Sequence, residues 1–200
     1  MEIERIDQAS DNTIRLYVSK ILFDKIQKSE SLNRYSFVNA SCGVCGRTSI
    51  EDLRQKGFRR IEGAFSVTPK IIAELSEEMK RAQKIFHHTG GLHAAGLFDL
   101  KGEPCCVRED VGRHNAVDKI LGESLLRNVM PLTKNLLMVS GRLSYEIVQK
   151  AVSAQIPLVA AISAPSNLAI KVANEFGITL IGFLRETSFN VYTNGERILR

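Results

Sequence analysis

Apolar and polar positions change rhythm along this chain, and each change marks an element. Thr13-Ile14-Arg15-Leu16-Tyr17-Val18 alternates with period two, which predicts a half-buried strand. A polar stretch runs on to Asn33, followed by Phe37-Val38 and a glycine-flanked loop, Ser41-Cys42-Gly43-Val44-Cys45-Gly46-Arg47-Thr48. Ser49 with Asp52 three residues later marks a helix start and predicts a short helix over 50–55. Thr68-Pro69 is a second start, with a capping hydroxyl and then proline at the first helical position. Ile71, Ile72, Leu75, Met79, Ala82 and Phe86 keep a helical period after it, so one long helix is expected up to Gly90-Gly91. Residues 93–108 carry the pattern of a hairpin around the turn Asp99-Leu100-Lys101-Gly102. Asn115 to Leu126 is patterned as a further amphipathic helix.

The last third changes character. Asn135 to Val139, Leu158 to Ile162 and Ile178 to Leu184 are almost wholly apolar runs, which fits strands buried on both faces. Between them, Ser144 to Val152 and Leu168 to Phe176 have helical spacing, and Gly177 stops the second. Strand and helix in alternation predict a parallel sheet covered by helices, an α/β fold. The chain shows no internal repeat, low-complexity segment or linker. An N-terminal lobe over 1–60 and an α/β domain over 61–200 are the expected divisions.

Composition narrows the function classes. Of the 200 residues 44% are hydrophobic and 24% charged, the balance of an ordinary globular protein. The formal charge of +5 is spread along the chain, which suits an anionic ligand or acidic partner. With 6% aromatics and no Trp, a base-stacking surface is not expected, and nucleic acid is not an expected partner. No apolar run has the length of a membrane span and the N-terminus has no signal-peptide pattern, so the expectation is a cytoplasmic protein without a membrane partner. In that compartment thiols stay reduced. The four cysteines, in two close pairs, then point to redox, sulfur or metal chemistry.

Cys42 and Cys45 are open to several uses. They could supply half of a tetrahedral zinc site, form a thioredoxin-type dithiol, or be ordinary buried thiols. They could equally be a nucleophilic or sulfur-carrying pair. The last use has a local physical basis: the thiolate is the reactive form, and both the helix start at Ile50 and the charge of Arg47 would favour it. Flanking glycines would let the loop present sulfur to a bulky partner.

A second candidate follows from topology. In open α/β sheets, ligands bind beyond the carboxyl ends of the strands. Those ends are Ser140-Gly141-Arg142, Ser163-Ala164-Pro165-Ser166-Asn167 and Arg185-Glu186-Thr187-Ser188. All are polar, two carry arginine, and two open helices whose N–H groups could receive phosphate. His87, His88 and His93 surround Gly90-Gly91, and Glu109-Asp110-Val111-Gly112-Arg113-His114 is either a ligand loop or a salt-bridged turn. Leu92-His93-Ala94-Ala95 with Pro104-Cys105-Cys106 resembles a zinc-deaminase signature. Ala95 stands where such an enzyme needs glutamate, so deaminase catalysis is not expected.

Ser41 to Gly46, His88 to His93, Glu109 to Lys119, Ser140 to Glu146 and Asn190 to Thr193, in that order, strongly resemble the FdhD family of formate dehydrogenase accessory sulfurtransferases. The resemblance runs from about residue 35 to the C-terminus. It implies a three-layer α/β/α, cytidine-deaminase-like fold and a homodimer. It also implies that sulfur arrives from a cysteine desulfurase as a persulfide on Cys42, with Cys45 as companion. The acceptor implied is a bis-molybdopterin guanine dinucleotide cofactor carrying molybdenum or tungsten, bound by Phe183-Leu184-Arg185-Glu186-Thr187-Ser188 and destined for an apo formate dehydrogenase catalytic subunit. Ser140, Gly141 and Arg142 join that cofactor site on topology, and no metal of the protein's own is expected. Family members carry a longer N-terminal region, so a shortened lobe is expected before Thr13. The rival readings are a chaperone that only holds the cofactor and a zinc-site protein of deaminase-like fold.

Overall fold

The computed structural model describes residues 3–11, 13–28, 50–63 and 65–199. The chain divides into two compact units, Met1–Ala40 and Ser41–Arg200. In the first, β1 (Ile3–Ser10) pairs antiparallel with β2 (Thr13–Val18), and α1 (Lys20–Lys28) follows. The strand expected at Thr13 is there, but Ile14 and Leu16 are 70% and 58% exposed rather than half-buried. Helix α1 falls in what the sequence presents as a polar stretch. Its apolar Ile21, Leu22, Phe23 and Ile26 are interleaved with lysine, aspartate and glutamine.

The second unit begins, among the described residues, with the short helix α2 (Ile50–Gln55), at the predicted boundaries. Its Leu53 is fully buried in the main core. Next come α3 (Pro69–Ala82), α4 (Phe86–Thr89), β3 (His93–Asp99), β4 (Pro104–Asp110) and α5 (Arg113–Leu126). The expected β-α-β-α-β series then follows as β5 (Asn135–Val139), α6 (Tyr145–Ala154), β6 (Leu158–Ala161), α7 (Asn167–Glu175) and β7 (Thr179–Gly182). A last strand, β8 (Asn190–Thr193), returns along β7.

These strands form one six-stranded sheet in the order β4-β3-β5-β6-β7-β8. The three predicted core strands pair in parallel. The hairpin β3-β4 and strand β8 extend the sheet antiparallel on its two sides, so the sheet is mixed. Period-two alternation explains the layering. Leu136 and Met138 of β5 face α3, where Ile72, Leu75 and Met79 share one helical face. Leu137 and Val139 face α5, α6 and α7. Helices on both faces make the α/β/α sandwich expected from sequence.

A further expectation fails. The long helix predicted to run from Pro69 towards Gly90 stops at Ala82, because Gln83 turns out of the helical region (φ −80°, ψ 79°). A separate turn, α4, then begins. The Glu109 carboxylate of β4 accepts from the N–H groups of Ile85 (2.9 Å) and Phe86 (2.8 Å), which satisfies the donors a new helix start leaves open. His87 and His88 therefore sit on this short turn, and the helical period seen in the sequence spans a break. Among the described residues, no helix is long and apolar enough to cross a membrane.

Leu75 is fully buried between α3 and the sheet. Leu75→Ala is expected to lower unfolding free energy by about 2–5 kcal/mol in urea titration, the range for a leucine cavity in a packed core. A loss well under 1 kcal/mol would show that α3 is not a core layer.

Candidate functional site

Parallel pairing of β5, β6 and β7 brings their carboxyl ends to one edge of the sheet, and backbone bonds stitch the loops there together. Leu143 N–H donates to the Ala164 carbonyl (3.1 Å) and Ser166 N–H to the Leu143 carbonyl (2.9 Å). Phe183 N–H donates to the Ser163 carbonyl (3.3 Å), and Leu184 N–H to that of Ala161 (3.0 Å). Gly182 permits this approach, since a Cβ there would lie 2.9 Å from Pro165 Cδ and 3.1 Å from the Ser163 carbonyl oxygen. Arg185 N–H donates to the Ser188 carbonyl (2.8 Å) and closes a turn with Glu186 and Thr187 at its corners.

A groove of about 340 Å³ opens beside this turn, lined by Ser76, Lys80, Ile162, Leu184, Arg185, Glu186 and Thr187. Arg185 Nη1 donates to the carbonyls of Ile162 (2.7 Å) and Leu184 (2.8 Å). These bonds hold the guanidinium across the loop, and Nη2 and Nε make no hydrogen bond among the described residues. Lys80 Nζ lies 2.7 Å from Glu77 Oε1, and this contact pulls the Glu77 carboxyl below its usual range. The pair is solvent-exposed and weak, so the ammonium can also serve an anion. Ser76 is only 4% exposed, and its hydroxyl has no hydrogen-bond partner among the described residues. Leu184 is buried against α3 and forms the groove floor. Phe183, at φ +52° and 42% exposed, and Ser188 flank the groove.

Ser140, Gly141 and Arg142 belong to a different cluster, at the end of β5. Ser140 Oγ accepts from Ala94 N–H (2.9 Å) and lies 3.4 Å from His93 Nδ1. The Arg113 side chain lies against Gly141, where a Cβ would sit 3.2 Å from its Cδ. Arg113 Nε is buried with no hydrogen-bond partner among the described residues. His114 Nε2 lies 2.9 Å from Ser144 Oγ and 3.9 Å from Glu146 Oε2. Burial, and then the charge of Arg113, push His114 below the ordinary imidazole value, with Glu146 opposing. Burial alone would raise Glu146. Hydrogen bonds from Ser144 and its own backbone N–H, with the charges of His114 and Arg113, outweigh that and lower it. Asp110 Oδ1 accepts from Gly112 N–H (2.8 Å) and Asn115 Nδ2 (3.1 Å), which sets the start of α5 and places Arg113 and His114. The Glu109-to-His114 segment is thus a salt-bridged turn, through Asp110 and Lys119, that also presents the Arg113 guanidinium and the His114 imidazole to the sheet edge.

The thiol pair Cys42 and Cys45 and its neighbour Arg47 lie outside the described residues. Cys105 and Cys106 are free thiols on β4, both pushed up chiefly by burial, a setting that suppresses the reactive thiolate. Among the described residues, no group of three His, Cys, Asp or Glu side chains could hold a metal ion. Ala95, at the position of a deaminase glutamate, is fully buried in β3. A larger groove of about 990 Å³ runs between the end of α3, β4 and α5. Its carboxylates are spent: Glu123 on Arg108 and Arg127, and Glu109 on the start of α4. Ser76 and Lys80 are the groove residues that sequence reasoning missed. Their i, i+4 spacing places them on one helix face, but nothing in the sequence says that this face meets the β7 loop.

The model of the FdhD/NarQ family matches residues 1–199. The chain belongs to the FdhD/NarQ family. It is 43% identical over 198 residues to the sulfur carrier protein FdhD of Picrophilus torridus, covering 99% of this chain and 74% of that one. With the sulfur carrier protein FdhD of Streptomyces coelicolor it shares 48% identity over 170 residues, covering 84% of this chain and 60% of that one. A crystal structure described as that of a formate dehydrogenase accessory protein from Desulfotalea psychrophila matches with a TM-score of 0.73 at 27% identity, covering 99% of this chain and 71% of that one. The chain therefore spans between 60% and 74% of the length of these FdhD relatives.

The β5 cluster generates a titration test. His114, followed by NMR, should titrate below the usual imidazole value of about 6.5. Glu146→Gln should lower it further by removing the opposing charge. Because the folded-state value is depressed, the stability linked to this histidine is full above about pH 6.5 and declines as pH falls towards the folded midpoint. A midpoint above the usual value would contradict this geometry.

Proposed function

We propose that this chain is a sulfur carrier that passes persulfide sulfur to a guanine-dinucleotide molybdenum or tungsten cofactor during maturation of formate dehydrogenase. The observation that carries this reading is the groove at the carboxyl end of β7, in a chain of the FdhD/NarQ family. Arg185, Glu186 and Thr187, carried over from the family resemblance, line that groove together with Lys80 and Ser76. Two cations and a free hydroxyl suit the diphosphate of a nucleotide. A volume of about 340 Å³ lies within the roughly 300–1,000 Å³ of small-molecule sites.

The loading step balances without an external oxidant. The Cys42 thiolate attacks the terminal sulfur of a cysteine desulfurase persulfide. A new S–S bond forms on Cys42, the old one breaks, and the desulfurase cysteine leaves as thiolate, which then takes up the proton that Cys42 gave up. Delivery releases that sulfur at the oxidation level of sulfide. Cys45 attacks the inner sulfur of the Cys42 persulfide and hydrosulfide leaves. The pair closes as a disulfide, which a cellular dithiol reduces for the next round. The cofactor, as the substrate that accepts sulfur, docks on the sheet edge and then moves to the apo catalytic subunit of formate dehydrogenase. The working form is a cytoplasmic homodimer.

The protein is incubated with a cysteine desulfurase and cysteine, then analysed by intact mass and peptide mapping. The expected result is a gain of one sulfur atom on the Cys42-Cys45 peptide, lost in Cys42→Ala. No adduct, under conditions that load a known carrier, overturns the sulfur-transfer step. Formate dehydrogenase activity that survives Cys42→Ala with Cys45→Ala, in cells lacking the native protein, assigns the chain a cofactor-holding role instead.

A further inference from the structure

We propose that Glu186 is the specificity-determining residue of the β7 groove, reading the donor edge of a guanine base while Lys80 and Arg185 hold the phosphates. This rests on the nucleotide-binding reading of the same groove. The groove's charged and hydroxyl inventory is unequal: an ammonium, a guanidinium and two hydroxyls face a single carboxylate. Glu77, the neighbouring acid on α3, is taken by Lys80. Glu186 makes no ion pair or hydrogen bond among the described residues, although it adjoins Arg185, whose Nη1 is turned instead to the Ile162 and Leu184 carbonyls. It sits at a corner of the turn closed by Arg185 and Ser188 and lines the groove.

A free carboxylate in a site for an anion is repulsive unless it meets hydrogen-bond donors of its own. Guanine is the common base with two adjacent donors, N1–H and the 2-amino group, on one edge, and a carboxylate's two oxygens accept both in parallel. Adenine presents an acceptor at N1 and meets the carboxylate with lone pair against lone pair. Hypoxanthine keeps N1–H and lacks the 2-amino group, so it forfeits one of the two bonds. Bidentate recognition of a base edge discriminates on the order of ten- to hundredfold, and a site built for a donor rejects analogues lacking it. The opposite corner of the turn, Thr187, and the Ser76 hydroxyl then serve the sugar and phosphate oxygens.

The full chain is titrated by calorimetry with GDP, IDP and ADP. GDP is expected to bind about tenfold or more tightly than IDP, with ADP weakest. Glu186→Gln is expected to bring the GDP-to-IDP ratio close to one. Lys80→Ala should weaken all three nucleotides alike and leave the ratio in place, which separates base reading from charge. Circular dichroism melts confirm that each variant is folded. If GDP binds and Glu186→Gln keeps the full preference, Glu186 does not read the base and the proposal falls, while the groove remains a nucleotide site. If the unaltered chain binds none of the three, the nucleotide reading falls and the proposal with it.

Discussion

Parallel pairing of β5, β6 and β7 is the constraint on which the rest of the second unit depends. Each of these strands hands its chain on at the same edge, so three loops of different sequence must share one rim. The sheet can pair this way only if both of its faces are dry. That requires nearly unbroken apolar strands and helices on each side, and the fully buried Leu136, Leu137, Met138, Val159, Ala160 and Leu180 meet the requirement. A buried leucine or valine contributes about 1.5–3 kcal/mol relative to exposure, so the strand register is strongly held. A slip of one residue would turn every such side chain to the wrong face.

The rim inherits that rigidity. The loops after β5, β6 and β7 are joined by main-chain hydrogen bonds, and glycine at 182 lets the β6 and β7 loops close on each other. Polar side chains on such a rim can be held without contributing to the core, and they divide into two clusters. At β7, α3 adds Lys80 and the Ser76 hydroxyl to Arg185, Glu186 and Thr187. At β5, the capped turn before α5 adds Arg113 and His114 to Ser140, Ser144 and Glu146. The first has two cations, and the second has a histidine pushed below the ordinary imidazole value by burial and a neighbouring guanidinium. Membership of the FdhD/NarQ family, whose curated relatives are named sulfur carrier proteins, gives this geometry its chemical context.

Much of this is legible in the sequence. The capping signal Ser49 with Asp52 placed α2, and the pattern of apolar positions placed the β3-β4 hairpin and the β-α-β-α-β series, because burial on one face or two leaves a regular repeat or an unbroken run. Three features escaped that logic. The break between α3 and α4 depends on Glu109, which lies 24 residues beyond Ile85 and caps it across the fold. Helix α1 hides because its apolar residues are interleaved with charge in a unit that buries little. Strand β8 is too short and polar to announce itself apart from its partner β7.

By itself, then, the sequence determined the α/β class, the elements of its core and the polar strand ends, since those follow from local spacing and from where apolar runs stop. It also carried the Cys42-Cys45 pair and the ordered motifs of the family, which are matters of residue identity. Only the tertiary structure decided how the strand-end side chains group into clusters at β5 and β7, and that Leu184 is groove floor. It also decided that Ser76 and Lys80, about a hundred residues upstream in the chain, complete the groove with Arg185 and Glu186. The physical reason is that hydrophobic burial chooses which faces meet, and side chains distant in sequence become neighbours only as a consequence of that choice.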